Sequence, residues 1–211
     1  MEWFLILAIL FFSIVLHEFA HGYAAYRMGD DTAYLLGRLT LNPLKHIDPI
    51  GSVVVPAICY FSGLPMFGWA KPVPISARRL PSPRKDMGKV ALAGPLINLT
   101  LAFLFAGLAK LMLVSGVFEP ATVTRTIPVL FYAIQINILL AVFNLMPIAP
   151  LDGGHIVAAL LPLNAATKYS QFFGRYGMFI VLGLIITGLF KYILYPPMSV
   201  VVGVISKIFG L

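Results

Sequence analysis

From Trp3 to Met28 the chain is nearly free of charge, with Glu18 and Arg27 the only Asp, Glu, Lys or Arg residues, yet His17 and His21 flank that glutamate inside the run. At 1.5 Å per residue a helix over this stretch reaches about 39 Å, enough to cross a hydrocarbon layer of about 30 Å with some tilt. No basic segment precedes it and ionisable residues interrupt it, so it does not read as a cleavable signal peptide. An ionisable residue near mid-bilayer costs about 2.5–3.5 kcal/mol on the lenient insertion scale. Three of them within one turn and a half therefore demand a reason.

The remainder of the chain belongs to the same environment. Of its 211 residues 60% are hydrophobic and 11% charged, where a soluble domain carries about 45–50% apolar and about 25% charged residues. That excludes an ordinary cytosolic enzyme, a disordered chain and a nucleic-acid binder driven by charge. The formal net charge is +7, but few of the basic residues lie inside the long apolar runs, and they read as a topology signal rather than a phosphate-binding surface. The single cysteine, Cys59, excludes an internal disulfide and a cysteine-based metal site.

The expected architecture is an all-α polytopic membrane protein. It is a helical bundle of about 5–6 membrane segments with a re-entrant or β-like membrane-associated insertion, forming one membrane-embedded domain over residues 1–211. The segments are a first span at 3–28, the insertion at 38–75, spans at about 90–117, 127–147 and 176–194, and a short apolar segment at 197–211. Ile50–Trp69 is broken by Pro56, Gly63, Pro65 and Gly68, which suits a kinked hairpin better than a straight crossing. Arg27, Arg38, Lys45, Lys71, Arg78, Arg79, Arg84, Lys85 and Lys89 all lie between the first span and the Val90 span, whereas the loop near Glu119 holds only Arg125. By the positive-inside rule the 27–89 region faces the cytoplasm of a cell membrane. Ile50–Trp69 must then enter and leave by the same face.

His17-Glu18-Phe19-Ala20-His21 reads H-E-x-x-H. On a helix, residues four apart face the same way one turn apart, so both imidazoles can reach one tetrahedral Zn²⁺. Glu18 lies about 100° round the helix, beside such a metal, where it can take a proton from water. With 4 His in the chain, chance yields such a motif about once in a thousand. A catalytic zinc site expects a third protein ligand and an open position. His46, Asp48, Asp152 and His155 are the candidates. Asp152 is favoured, because it follows a span on a stretch that Pro147, Pro150, Gly153 and Gly154 keep irregular, as backbone lining a cavity at membrane depth is. Topological parity agrees: with 50–69 re-entrant, Asp152 emerges on the same side as His17 and His21.

At this point the sequence resembles the site-2 protease family of intramembrane zinc metalloproteases, in its compact bacterial form without PDZ-like or nucleotide-sensing domains. His17–His21 matches the family's zinc motif. Ala93-Gly94-Pro95-Leu96 resembles the start of a core span, and Asn144-Leu145-Met146-Pro147 with Leu151-Asp152-Gly153 resembles its Asn-Pro…Asp-Gly motif. Asn42–Pro49 and Phe67–Pro74 look like the membrane-associated insertion of this subgroup. The resemblance implies His17, His21 and Asp152 as ligands of one Zn²⁺, Glu18 as catalytic acid/base, and Asn144 as a group bonding substrate backbone or a developing oxyanion. It implies hydrolysis of peptide bonds within or near transmembrane helices of membrane-protein substrates, as in regulated intramembrane proteolysis, with the active site toward the cytoplasmic side. The partners are then such substrates and the bilayer, without nucleic acid; the oligomeric state is not set by the sequence. The proline and glycine punctuation, with β-branched Val53-Val54-Val55, suggests that 38–75 holds a substrate extended by edge pairing. The competing reading is a membrane metal transporter or metal-binding subunit that uses the same His and Asp ligands.

Overall fold

A computed structural model describes residues 2–63 and 68–211; Met1 and 64–67 lie outside them, and with them Pro65 and Phe67 of the punctuated insertion. Eight α-helices are described: α1 (Glu2–Arg27), α2 (Thr32–Leu35), α3 (Val55–Ser62), α4 (Pro83–Val114), α5 (Pro120–Asn144), α6 (Asp152–Leu160), α7 (Leu163–Ile186) and α8 (Phe190–Phe209). Five of them, α1, α4, α5, α7 and α8, are long and apolar enough to cross a membrane. No strand occurs among the described residues.

Helix α4 is the hub and packs against α1, α5, α6 and α8. Lipid tails are as apolar as leucine, so helices in a bilayer associate through close packing and polar contacts rather than through the hydrophobic effect. The sequence supplies both. Ala102, Ala106 and Ala109 on α4 and Ala133 and Ala141 on α5 are fully buried and let the two backbones approach. Ile134, Ile138, Val142 and Met146 fill the space beside them, with Leu194 and Ile205 contributed by α8. Helices α7 and α8 keep most of their surface outward, toward lipid.

The insertion folds back on itself. A π-helical turn at Ile50–Val54 continues into α3, and Gly63 at φ +67° ends it. On the return, the Trp69 N–H donates to Gly51 O at 3.0 Å, and Ser52 Oγ donates to Trp69 O at 2.9 Å. Residue 69 thus comes back beside residue 51. Val53-Val54-Val55 is helical and not β-like, because β propensity reports packing on a pleated surface and there is no neighbouring strand for these valines to pair with. The non-helical part of the insertion continues through residues 68–76.

Three boundaries differ from expectation. Helix α4 begins at Pro83, so Arg84, Lys85 and Lys89 lie in its first turns, where the Asp86 carboxylate reaches back to the Ser82 N–H at 2.7 Å. Helix α5 begins at Pro120. The expected span 176–194 and segment 197–211 are α7 and α8, divided at Gly188 (φ +70°) rather than at Pro196-Pro197, which both lie inside α8. A left-handed glycine ends a helix outright, whereas a proline in an apolar helix can be carried as a kink.

Candidate active site

Helix α1 places His17 and His21 one turn apart on its buried side, at 6% and 7% exposure. Asp152 is the first residue of α6, reached from α5 through the turn at 145–151. That turn is tight enough that a Cβ on Gly153 would strike the carbonyl oxygens of Leu145 and Met146. It brings Asp152 Oδ2 to 3.1 Å from His17 Nε2 and 3.3 Å from His21 Nε2, while the two Nε2 atoms are 3.0 Å apart. Gly94 of α4 supplies the room: a Cβ there would lie 2.6 Å from His17 Nε2.

The far sides of both rings fix what their tips offer. The His21 Nδ1–H donates to Val90 O at 2.8 Å, and a carbonyl can only accept. The His17 Nδ1–H donates to Asn98 Oδ1 at 2.6 Å. Both Nε2 atoms therefore present lone pairs, as metal-ligating histidines do. Those lone pairs converge on each other and on Asp152 Oδ2, a buried oxygen without a hydrogen-bond donor. Three acceptors facing one another repel unless a cation sits among them. Donors about 2.0–2.1 Å from a tetrahedral zinc are separated from each other by about 3.3 Å, close to the triangle found here. The donor set fits zinc.

Glu18 stands beside this triangle, and its Oε2 accepts from the Val73 N–H at 2.9 Å. Pro72 and Pro74 have no N–H, so Val73 is the one backbone donor of that stretch. The strap holding it is tied at several points. Arg38 donates to the carbonyls of Lys71 and Pro72, and the Lys71 N–H donates to His46 O at 2.9 Å. The Ser76 N–H donates to Asp30 Oδ2 at 2.6 Å. Burial pushes the Asp30 carboxyl up, but hydrogen bonds from Thr32 and Ser76 and the charge of Arg79 outweigh it and hold its pKa below the usual value. A cavity of about 330 Å³ opens between strap and helices, lined by His17, Glu18, His21, Val73, Asn144 and Asp152 among others.

The structure thus brings together His17, His21 and Asp152, with Glu18 and Asn144 on the same cavity. The Asn144 Nδ2–H donates to Leu140 O at 3.0 Å, one turn back on its own helix. Among the alternatives for a third ligand, His155 lines the cavity but is not in the converging group. His46 is buried elsewhere against Thr40 O, and Asp48 accepts from the Ile50 and Gly51 N–H groups at the start of the hairpin. Arg84 donates to the carbonyls of Ala158 and Leu161 at the end of α6. Asn98, Asn137 and the Val73 amide carry the contacts that sequence reasoning missed. A polar residue buried in an apolar span was the available signal for the two asparagines.

Peptidase family M50 matches residues 108–188, a stretch that includes Asn144 and Asp152. YwhC of Bacillus subtilis (strain 168), provisionally named a zinc metalloprotease, is 40% identical over 199 residues, covering 94% of this chain and 87% of YwhC. The chain belongs to peptidase family M50. It is also similar to Rip2 of Mycolicibacterium smegmatis, with 36% identity over 83% of this chain and 64% of that protein. Rip2 of Mycobacterium tuberculosis (strain ATCC 35801) is 35% identical over 71% of this chain and 53% of its own length. Both carry provisional names as zinc metalloproteases. No solved structure matches. As an M50 member with five apolar helices the chain is a multi-pass membrane zinc metalloprotease of the site-2 type.

Proposed function

We propose that this protein hydrolyses peptide bonds within or next to the transmembrane helices of membrane-protein substrates, as in regulated intramembrane proteolysis. It acts as a single membrane-embedded unit in the cell membrane with its site toward the cytoplasm. The observation that carries the reading is the convergence of His17 Nε2, His21 Nε2 and Asp152 Oδ2 beside Glu18 at one cavity. His17, His21 and Asp152 hold the zinc. When bound, zinc supplies Lewis acidity toward water and the scissile carbonyl.

The residues of the chain do the rest. Glu18 accepts the proton of the attacking water on its carboxylate and later delivers it to the leaving amine. The Val73 N–H keeps the carboxylate turned toward the cavity. Asn144, on the cavity wall, is placed to bond substrate backbone or the developing oxyanion. Its Nδ2 gives one N–H to Leu140 O, which leaves the second N–H as the donor for that role. A substrate helix hides its carbonyls in its own hydrogen bonds and must unwind before attack. The non-helical strap 68–76, rather than Val53–Val55, is the segment beside which an unwound chain would lie.

The orientation rests on the basic loops. The nine Lys and Arg residues between 27 and 89 share one side with the Asp152 turn, given the re-entrant hairpin. A transporter using the same ligands would need an open polar path across both leaflets. Here the polar side chains deeper in the bundle, Ser13, Asn98 and Asn137, are buried and bonded to one another.

Glu18→Gln tests the mechanism. Purified variant should retain zinc, while cleavage of a helical membrane substrate falls by about 10²–10⁴-fold, the usual worth of a general acid/base. Undiminished cleavage by folded variant protein sinks the proposal.

A further inference from the structure

Three polar side chains from three spans meet beneath the site. Ser13 of α1, Asn98 of α4 and Asn137 of α5 are 1%, 0% and 0% exposed. They are far apart in sequence, and a polar group alone in an apolar bundle is costly, so their shared location is a built feature. The Asn137 Nδ2–H donates to Ser13 Oγ at 3.0 Å and to Ala133 O at 2.9 Å. Those two acceptors leave Asn137 Oδ1 turned toward α4, where it accepts from Asn98 Nδ2–H at 3.0 Å. A second, longer bond runs from Asn98 Nδ2–H to Ser13 O at 3.4 Å. With its NH₂ group so engaged, Asn98 can present only Oδ1 to His17 Nδ1, at 2.6 Å.

The direction of this chain matters. Were the Asn98 amide turned over, its oxygen would face Asn137 Oδ1 and its NH₂ would face His17 Nδ1. His17 would then carry its proton on Nε2, aimed at Asp152 and His21, and would offer no lone pair there. The backing of His21 is a main-chain carbonyl that no side-chain substitution removes. The backing of His17 is a side chain whose orientation is set by a further side chain.

We propose that Asn98 is a positioning residue for metal binding, its amide oriented by Asn137 so that His17 is held in the tautomer with a free Nε2. The inference rests on the reading of His17 as a zinc ligand. Asn98 touches neither substrate nor the reacting atoms; it acts through His17.

The experiment measures zinc affinity of the full chain in detergent by competition with a chelator, and the absorption spectrum after Co²⁺ substitution. Asn98→Leu removes the acceptor at similar volume and should weaken zinc about 10–100-fold, the usual cost of losing a group that orients a metal ligand. Its Co²⁺ spectrum should shift. Asn98→Asp restores an acceptor and should recover most of the affinity. Asn137→Leu leaves the acceptor present but unoriented and should give a smaller loss in the same direction. Wild-type zinc affinity in Asn98→Leu, or an Asp variant no better than the Leu variant, overturns the proposal. If Asn98→Leu does not fold, wild-type affinity in Asn137→Leu overturns it equally. His17→Ala separates the two claims: unchanged zinc binding there refutes the ligand assignment itself, whereas loss there with full affinity in Asn98→Leu refutes only the role of Asn98.

Discussion

His17 and Glu18 are adjacent on one helix, yet opposite kinds of structure hold them. His17 faces the bundle, where Gly94, Asn98 and, behind them, Asn137 belong to two packed spans. Glu18 faces the strap, where its partner is the main-chain N–H of a non-helical segment anchored by hydrogen bonds from Arg38 and to Asp30. On one side the proposed metal ligands are set by helix packing, which tolerates little displacement. On the other the proposed proton-handling group is set by a tethered, non-helical loop. Metal binding and catalysis should therefore be separable by mutation.

The largest effect is expected on the bundle side. Gly94→Val puts a branched side chain where the two imidazoles sit, and their far nitrogens are tied, so the rings cannot retreat. Zinc should be lost, and overpacking should lower stability by about 1–3 kcal/mol. Metal analysis with thermal unfolding in detergent checks both. A Gly94→Val protein with full zinc would show that the bundle side is looser than the packing implies.

On the strap side, Val73→Pro removes the donor to Glu18 in a stretch already flanked by prolines. A hydrogen bond to a charged group is worth about 1.5–3 kcal/mol, so kcat/KM should fall by about 10- to 100-fold with zinc content unchanged. Loss of zinc in this variant would mean that the two sides are not independent.

The smallest effect is a pH dependence of the strap anchor. Asp30 titrates below its ordinary value, so its contribution to stability is complete above the usual carboxylate range and fades as pH falls through the lowered folded value. The melting difference between wild type and Asp30→Asn should therefore narrow as the medium is acidified. A difference that widens in acid would reverse the sign assigned to this group.

The same division explains what could be read from the sequence. The two histidines and Glu18 were legible because a helix converts spacing into direction, and Asp152 because proline and glycine punctuation marks backbone that is not helix. That the insertion returns to its own start was legible through charge parity. The strap's contact with Glu18 was not, since a backbone amide has no sequence signature. Asn98 and Asn137 stand 81 and 120 positions from His17, and only the packing of α4 and α5 onto α1 makes them partners. The break between α7 and α8 was expected between 194 and 197, while the chain turns at Gly188, where a left-handed glycine ends the helix.

Two spans of intervening chain bring Asp152 to the His17–His21 pair, where we propose that it ligates the metal. The decisive measurement is the metal content of purified, folded Asp152→Ala. Zinc retained at one per chain by the wild type should be lost from the variant. A variant that keeps one zinc per chain would show that Asp152 is not a ligand.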